Sequence, residues 1–196
     1  MHYIENDAEL HDGDLLLIDA GAEIDCYAAD ITRTFPVNGK FSADQKTLYD
    51  IVLNAQLAAI DAAKPGNKWN QPHDAAIQVL VAGLIDIGLL AGNADEIIEN
   101  GDYRRFYMHR TGHWLGMDVH DVGDYRVGDQ WRLLEPGMTL TVEPGLYIPD
   151  DDDIDSRWRN IGIRIEDDVL ITREGNTILS DGVPKRPGDI EALMAR

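Results

Sequence analysis

The stretch from Leu15 to Phe35, LLLIDAGAEIDCYAADITRTF, decides the reading of this chain. Its alternation and β-branched content predict an antiparallel pair of strands over 14–20 and 23–35, with AGAEI as the turn and Pro36 to Gly39 ending the second strand. Each strand carries an aspartate, Asp19 and Asp30, within sequence otherwise suited to burial. A lone buried carboxylate is strongly disfavoured, so such a group takes up a proton, pairs with a cation or binds metal.

The pattern recurs downstream. LLLIDAG (15–21) and TLTVEPG (139–145) both run apolar residues into an acid with a glycine just beyond, and ADITRTF (29–35) and RIEDDVLIT (164–172) each supply a second acid. Asp19, Asp30, Glu143 and Glu166 therefore fall in two echoing strand pairs, while Arg33, Arg164 and a few lysines are too few cations to pair all four. Shared metal coordination explains that density: two divalent ions roughly 3.5–4 Å apart need bridging carboxylates and can generate a hydroxide near neutral pH. A histidine would complete the set, and RFYMHRTGHWLGMDVHD (105–121) offers His109, His113 and His120. His109 and His113 have helical spacing, but HRTGH lacks the glutamate of the zinc-protease HExxH pattern and contains a helix-weakening glycine.

Helices fill the middle of the chain. Ser42 and Gln45 form a capping box ahead of Leu48, Ile51, Val52, Ala55, Ala59 and Ala62 at helical spacing, which predicts a helix over 43–63. Pro65 and Gly66 stop it. DAAIQVLVAGLIDIGLL predicts a second helix to about Leu90 with Gly83 closely packed, a short helix follows at 93–99, and a last one opens at Pro187. Residues 105–121 read as loop and strand; LEPGMTLTVEPGLYIP and NIGIRIEDDVLITREG read as strands separated by the acidic loop 149–160.

The balance of 17 basic against 36 acidic residues repels nucleic-acid phosphates and anionic lipid, which sets aside nucleic-acid and membrane partners. The single Cys26 cannot form an internal disulfide and fits a cytoplasmic protein; no secretion signal or run of roughly 18 apolar residues is present. DDDDID (150–155) lacks the central glycine and closing glutamate of a calcium loop, and no phosphate-binding loop or GxSxG elbow occurs.

DAG with Asp19, DITRTFPV with Asp30, HWLGMDVHDVG with His113 and His120, LEPGMTLTVEPGLY with Glu143 and GIRIEDD with Glu166 resemble, in order and interval, the pita-bread metallopeptidases, most closely the aminopeptidase P (Xaa-Pro aminopeptidase) group. The resemblance covers nearly the whole chain. It implies an α+β pita-bread fold, a curved and mostly antiparallel sheet with helices on its outer face. It also implies two divalent ions, usually Mn2+ with Zn2+ or Co2+ as alternatives, held by Asp19, Asp30, His113, Glu143 and Glu166. In such a site a bridging hydroxide attacks the scissile carbonyl, and Glu143 acts as general base and carries the proton towards the leaving proline nitrogen. His120 would steady the substrate, His109 would line the site near the proline, and His2 matches a histidine that assists proton transfer. Arg164 and Tyr147 stand beside ligands in sequence.

The implied substrate is a peptide with proline in second position. Prolidase, which uses the same ligands on dipeptides, and a non-catalytic binding module of this fold are the alternatives. Members of the family carry a separate N-terminal domain and further elements ahead of the position of His2. Residues 1–196 are therefore expected to form one catalytic domain truncated at its N-terminus, whose uncovered flank would favour a homo-oligomer. DYRVGDQWR (124–132) and the loop 149–160 depart from the family pattern.

Overall fold

The computed structural model describes residue 3 and residues 5–195. Strand β1 (Leu15–Ala20) leads into a short hairpin, β2 (Glu23–Ile24) with β3 (Tyr27–Ala28), and the chain returns as β4 (Ile31–Pro36). β4 is antiparallel to β1, from Leu15 opposite Pro36 to Ala20 opposite Ile31. The expected pairing holds, but the reversal is wider than AGAEI. It occurs at Asp25 and Cys26, both at positive φ (51° and 69°), and it divides the expected 23–35 strand. Gly21 permits the pinch at the base of this hairpin, because a Cβ there would lie 1.6 Å from the Ala29 carbonyl oxygen.

Helix α1 (Ala43–Ala62) starts at the expected capping box: Ser42 Oγ accepts from the Gln45 N–H at 3.1 Å and Gln45 Oε1 from the Ser42 N–H at 2.9 Å. Helix α2 (Gln71–Asp86) has Pro72 in its first turn and ends four residues before Leu90, where Gly88 adopts φ 78°. Helix α3 (Ala94–Asn100) is capped by the Asn93 side chain and closed by left-handed Gly101, and a 3-10 turn, Asp102–Arg105, follows.

The second half opens with a small hairpin, β5 (Arg126–Val127) with β6 (Gln130–Trp131), and continues through β7 (Thr139–Val142), β8 (Gly145–Tyr147), β9 (Gly162–Arg164), β10 (Asp167–Ile171) and β11 (Asn176–Ile178) to helix α4 (Pro187–Met194). β7 pairs with β10, Val142 opposite Asp167, and β8 pairs with β9, Gly145 opposite Arg164. One register carries through both ladders, so Glu143 comes opposite Glu166 where Pro144, without an N–H, interrupts the bonding.

Every strand pairing among the described residues is antiparallel. Helix α1 packs on α2 and against β7, β8 and β9, burying Leu48, Val52, Leu80, Ile163 and Val169 in one continuous core. The expected α+β architecture is thus observed. Each such aliphatic side chain stabilises the fold by roughly 1.5–3 kcal/mol, enough in sum to tolerate a buried cluster of acids. No described helix is long and apolar enough to cross a membrane.

Candidate metal centre

Two hairpins meet at the acids, and threonines of β4 join them. The Glu166 N–H donates to the Thr32 carbonyl at 3.1 Å, the Thr32 hydroxyl donates to Glu166 Oε2 at 2.6 Å, and the Thr34 hydroxyl donates to the Arg164 carbonyl at 3.0 Å. Thr32 and Thr34 share one face of the strand, as its two-residue period requires. Arg33 points to the other face and donates to the Glu166 carbonyl at 2.6 Å and to Asp167 Oδ1 at 2.8 Å. Buried Asp167 also accepts from Gln56, Ser180 and Lys185.

His113 belongs to an irregular segment beside β7, bound through Thr141 N–H to the His113 carbonyl at 3.0 Å and Leu115 N–H to the Thr139 carbonyl at 3.1 Å. Gly112 allows that approach, since a Cβ there would stand 2.0 Å from the Thr141 carbonyl oxygen. The ring donates from Nδ1 to the Trp114 carbonyl at 2.9 Å, which aims Nε2 at Asp30 Oδ2, 3.3 Å away, and at Glu143 Oε1, 3.9 Å away. A second-atom hydrogen bond of this kind is how ligating histidines are oriented.

Ligand atoms of Asp30, His113 and Glu166 all lie within 4.8 Å of one another. Carboxylate oxygens with one imidazole suit a divalent cation of the manganese-to-zinc series. Asp19 and Glu143 line the same cleft, of about 1040 Å³, as these three.

Electrostatics supports the fit. Burial, then the charges of Glu143 and Asp30, push the Glu166 carboxyl up to about 9. Burial raises Glu143 to about 7, with Asp30 and Asp19 adding to the shift against His113 and Arg164. Burial and a proton shared with Asp30 raise Asp19; burial would raise Asp30 too, but hydrogen bonds from His113 and Asp19 hold it below the usual range. The carboxylates repel one another until a cation joins them.

His109 is different. Burial lowers it to about 4, so its ring is neutral and its 3.8 Å approach to Glu143 is not an ion pair. With Nδ1 2.7 Å from the Arg110 carbonyl, Nε2 accepts from the Tyr147 hydroxyl at 2.9 Å, and that hydroxyl accepts from Arg164 at 3.1 Å. Arg164 in turn donates to Asp19 Oδ2 at 2.6 Å. The His120 ring stands edge-on to His113, centroids 4.3 Å apart.

The structure thus brings Asp19, Asp30, His109, His113, His120, Glu143, Arg164 and Glu166 to one cleft, with Tyr147 bonded to two of them. His2 lies outside the described residues. Two expectations need correction. Only Asp19 lies inside a strand; Asp30, Glu143 and Glu166 sit just beyond strand ends, where the ladder leaves room for side chains to converge. Asp19 is not buried, its side chain being 31% exposed at the cleft mouth. Its partner across the ladder is Thr32, while its carboxyl hydrogen-bonds that of Asp30. Sequence reasoning missed Asp167 and Asp168, although RIEDD displays them. Both are buried, and Asp168 accepts the Asp30 N–H at 3.2 Å.

Comparison with known proteins agrees with this geometry. Residues 1–173 match metallopeptidase family M24. The chain is 55% identical over 99% of its length to the Xaa-Pro aminopeptidase of Haemophilus influenzae, and 52% identical over the same share to that of Escherichia coli, covering 45% and 44% of those proteins. Among solved structures, aminopeptidase PepP of Pseudomonas aeruginosa superposes with a TM-score of 0.98 at 61% identity, covering 100% of this chain and 44% of that one. A zinc-substituted aminopeptidase P of E. coli in complex with product matches at a TM-score of 0.95 and 51% identity, again over 100% of this chain and 44% of the other. The chain therefore spans less than half the length of these relatives.

Proposed function

Because the chain belongs to metallopeptidase family M24, we propose that it releases the first residue from peptides whose second residue is proline. The observation that carries this reading is the convergence of Asp30, His113 and Glu166, with Asp19 and Glu143 in the same cleft. These five side chains are the proposed ligands of two divalent cations, most readily Mn2+, with Zn2+ and Co2+ as alternatives. Bound there, the cations would supply a water that ionises near neutral pH and an electrophile for the scissile carbonyl.

The chain's own groups do the rest. Glu143, in the cleft beside His113, takes a proton from the attacking water and delivers it to the proline nitrogen. Neutral His109, fixed by Tyr147, offers an uncharged ring beside the scissile bond, and His120 steadies the substrate next to His113. Arg164 clamps Asp19 and holds Tyr147 in place. Proline specificity is supported by the similarity to the Xaa-Pro aminopeptidases of Haemophilus influenzae and Escherichia coli.

The test is Mn2+-loaded protein incubated with Ala-Pro-Ala and with Ala-Pro. Release of alanine from the tripeptide is expected. Folded, loaded protein that cleaves neither peptide would overturn the proposal, and cleavage of the dipeptide alone would reassign it to prolidase. Asp30→Ala should lose bound metal as measured by elemental analysis.

A further inference from the structure

The cleft has an aromatic and cationic side that the hydrolytic chemistry does not use. Trp69, Tyr125, Trp131 and Arg110 line it together with the carboxylates, and Trp69 packs on Trp114 and Tyr125 with centroids 4.1 and 4.7 Å apart. The hairpin β5–β6, within the segment that departs from the family pattern, carries Trp131. Two guanidinium groups lie over that indole, Arg126 at 4.1 Å and Arg110 at 5.6 Å from its centroid. Among the described residues neither guanidinium donates a hydrogen bond or enters an ion pair; Asp74 feels the charge of Arg110 without touching it. In a chain with 36 acidic residues, partners for two arginines are abundant, so leaving both stacked on Trp131 is a notable arrangement. Stacking occupies the face of a guanidinium and leaves its N–H edge free for a carboxylate.

We infer that Arg110, Arg126 and Trp131 form a subsite for a carboxylate carried by the substrate downstream of the proline, either its C-terminus or an acidic side chain. The inference rests on the peptidase reading of the same cleft. Arg110 follows His109, whose ring is 3.8 Å from Glu143, so the subsite begins next to a residue that approaches the proposed general base. A peptide extending one to three residues past the scissile bond covers that reach at about 3.3 Å per residue. Short peptides with a free C-terminus, or with an acid after proline, are the favoured substrates.

Calorimetric titration of Mn2+-loaded protein with Pro-Ala, Pro-Ala-amide and Pro-Glu-amide tests this without turnover. Pro-Ala should bind about fivefold more tightly than its amide, as expected of a solvent-accessible ion pair, and the margin should shrink with added salt. Recovery of the affinity by Pro-Glu-amide would show that a side-chain carboxylate also serves; no recovery would restrict the subsite to the C-terminus. The double variant Arg110→Gln with Arg126→Gln should bring acid and amide to equal affinity. Equal binding by the wild type, no measurable binding of any ligand, or a preference for the acid that survives the double variant would each overturn the inference. Discrimination in binding with no cleavage of Ala-Pro-Ala would instead count against the peptidase reading alone.

Discussion

Thr32 grips Glu166 twice, donating its hydroxyl proton to Oε2 at 2.6 Å while its carbonyl accepts the Glu166 N–H at 3.1 Å. One residue of β4 thereby sets both the backbone and the carboxylate of a proposed ligand that belongs to the other hairpin. Thr32 is fully buried, so its hydroxyl has no water to turn to.

Thr32→Val keeps the shape and removes the hydroxyl. Mn2+ affinity should fall about tenfold, the lower end of what loss of an orienting partner costs. Stability should fall by about 1–2 kcal/mol. Metal titration and denaturant unfolding read the two effects separately; unchanged metal affinity would show that Glu166 is positioned by other contacts.

Metal binding should release protons. At pH 7 the metal-free protein holds Glu166 protonated and Glu143 about half so, because burial and neighbouring carboxylates lift them to about 9 and about 7. A cation displaces those protons, at least about one per molecule, measurable by calorimetry in buffers of different ionisation enthalpy. Both folded pKa values lie above the unfolded carboxylate value, so the folded state binds more protons and the metal-free protein should lose stability as pH rises from about 4.5 towards 9. Saturating Mn2+ should reverse that slope. A metal-free protein whose melting temperature rises across this range would contradict the assigned cluster.

His73 should make the fold acid-sensitive. Burial, then the charge of Arg110, lowers it to about 4, and its Nδ1 lies 2.7 Å from the Thr111 hydroxyl, which also bonds Tyr107. Its folded pKa is below the unfolded value near 6.5, so its contribution is complete above that pH and is lost as pH falls towards 4, up to about 3 kcal/mol. His73→Gln should flatten the stability profile between those limits; a profile with the wild-type slope would assign the sensitivity elsewhere.

At Gly83, α2 lies close against α1: an added Cβ would lie 2.7 Å from Ile51 Cγ2. Alanine is the better helix former by about 1 kcal/mol. Overpacking costs about 1–3 kcal/mol, so Gly83→Ala should still destabilise. Combining it with Ile51→Ala should cost less than the sum of the single changes, a coupling that a double-mutant cycle in urea would detect.

Much of the fold was legible locally. The capping box at Ser42, the strand alternation around Asp19 and Asp30 and the turn at Pro65–Gly66 are short-range signals, and each marks an element of the structure. The end of α2 was misplaced because the apolar run continues past Asp86 while left-handed Gly88 has already turned the chain. The acids stood out because four carboxylates in apolar strand-like sequence have too few cations to pair with. His113 could not be chosen from spacing among three histidines; only its family resemblance singled it out.

What the sequence determined by itself was roughly where the main helices and strands lie, though not all their bounds, and that the two acid-bearing segments belong to one kind of chemistry. Their relative placement was decided by tertiary structure. Glu143 meets Glu166 head-on because one register runs through two ladders, and Asp19 meets Thr32 because the turn at Asp25 and Cys26 likewise sets one register for β2–β3 and β1–β4. Partners such as Arg33 with Asp167, or Thr32 with Glu166, lie 134 positions apart, and nothing in local propensity encodes such a distance. Packing of the two hairpins against each other brings them within hydrogen-bond reach, and the energy of a buried, mutually repelling acid cluster then depends on geometry that no stretch of sequence contains.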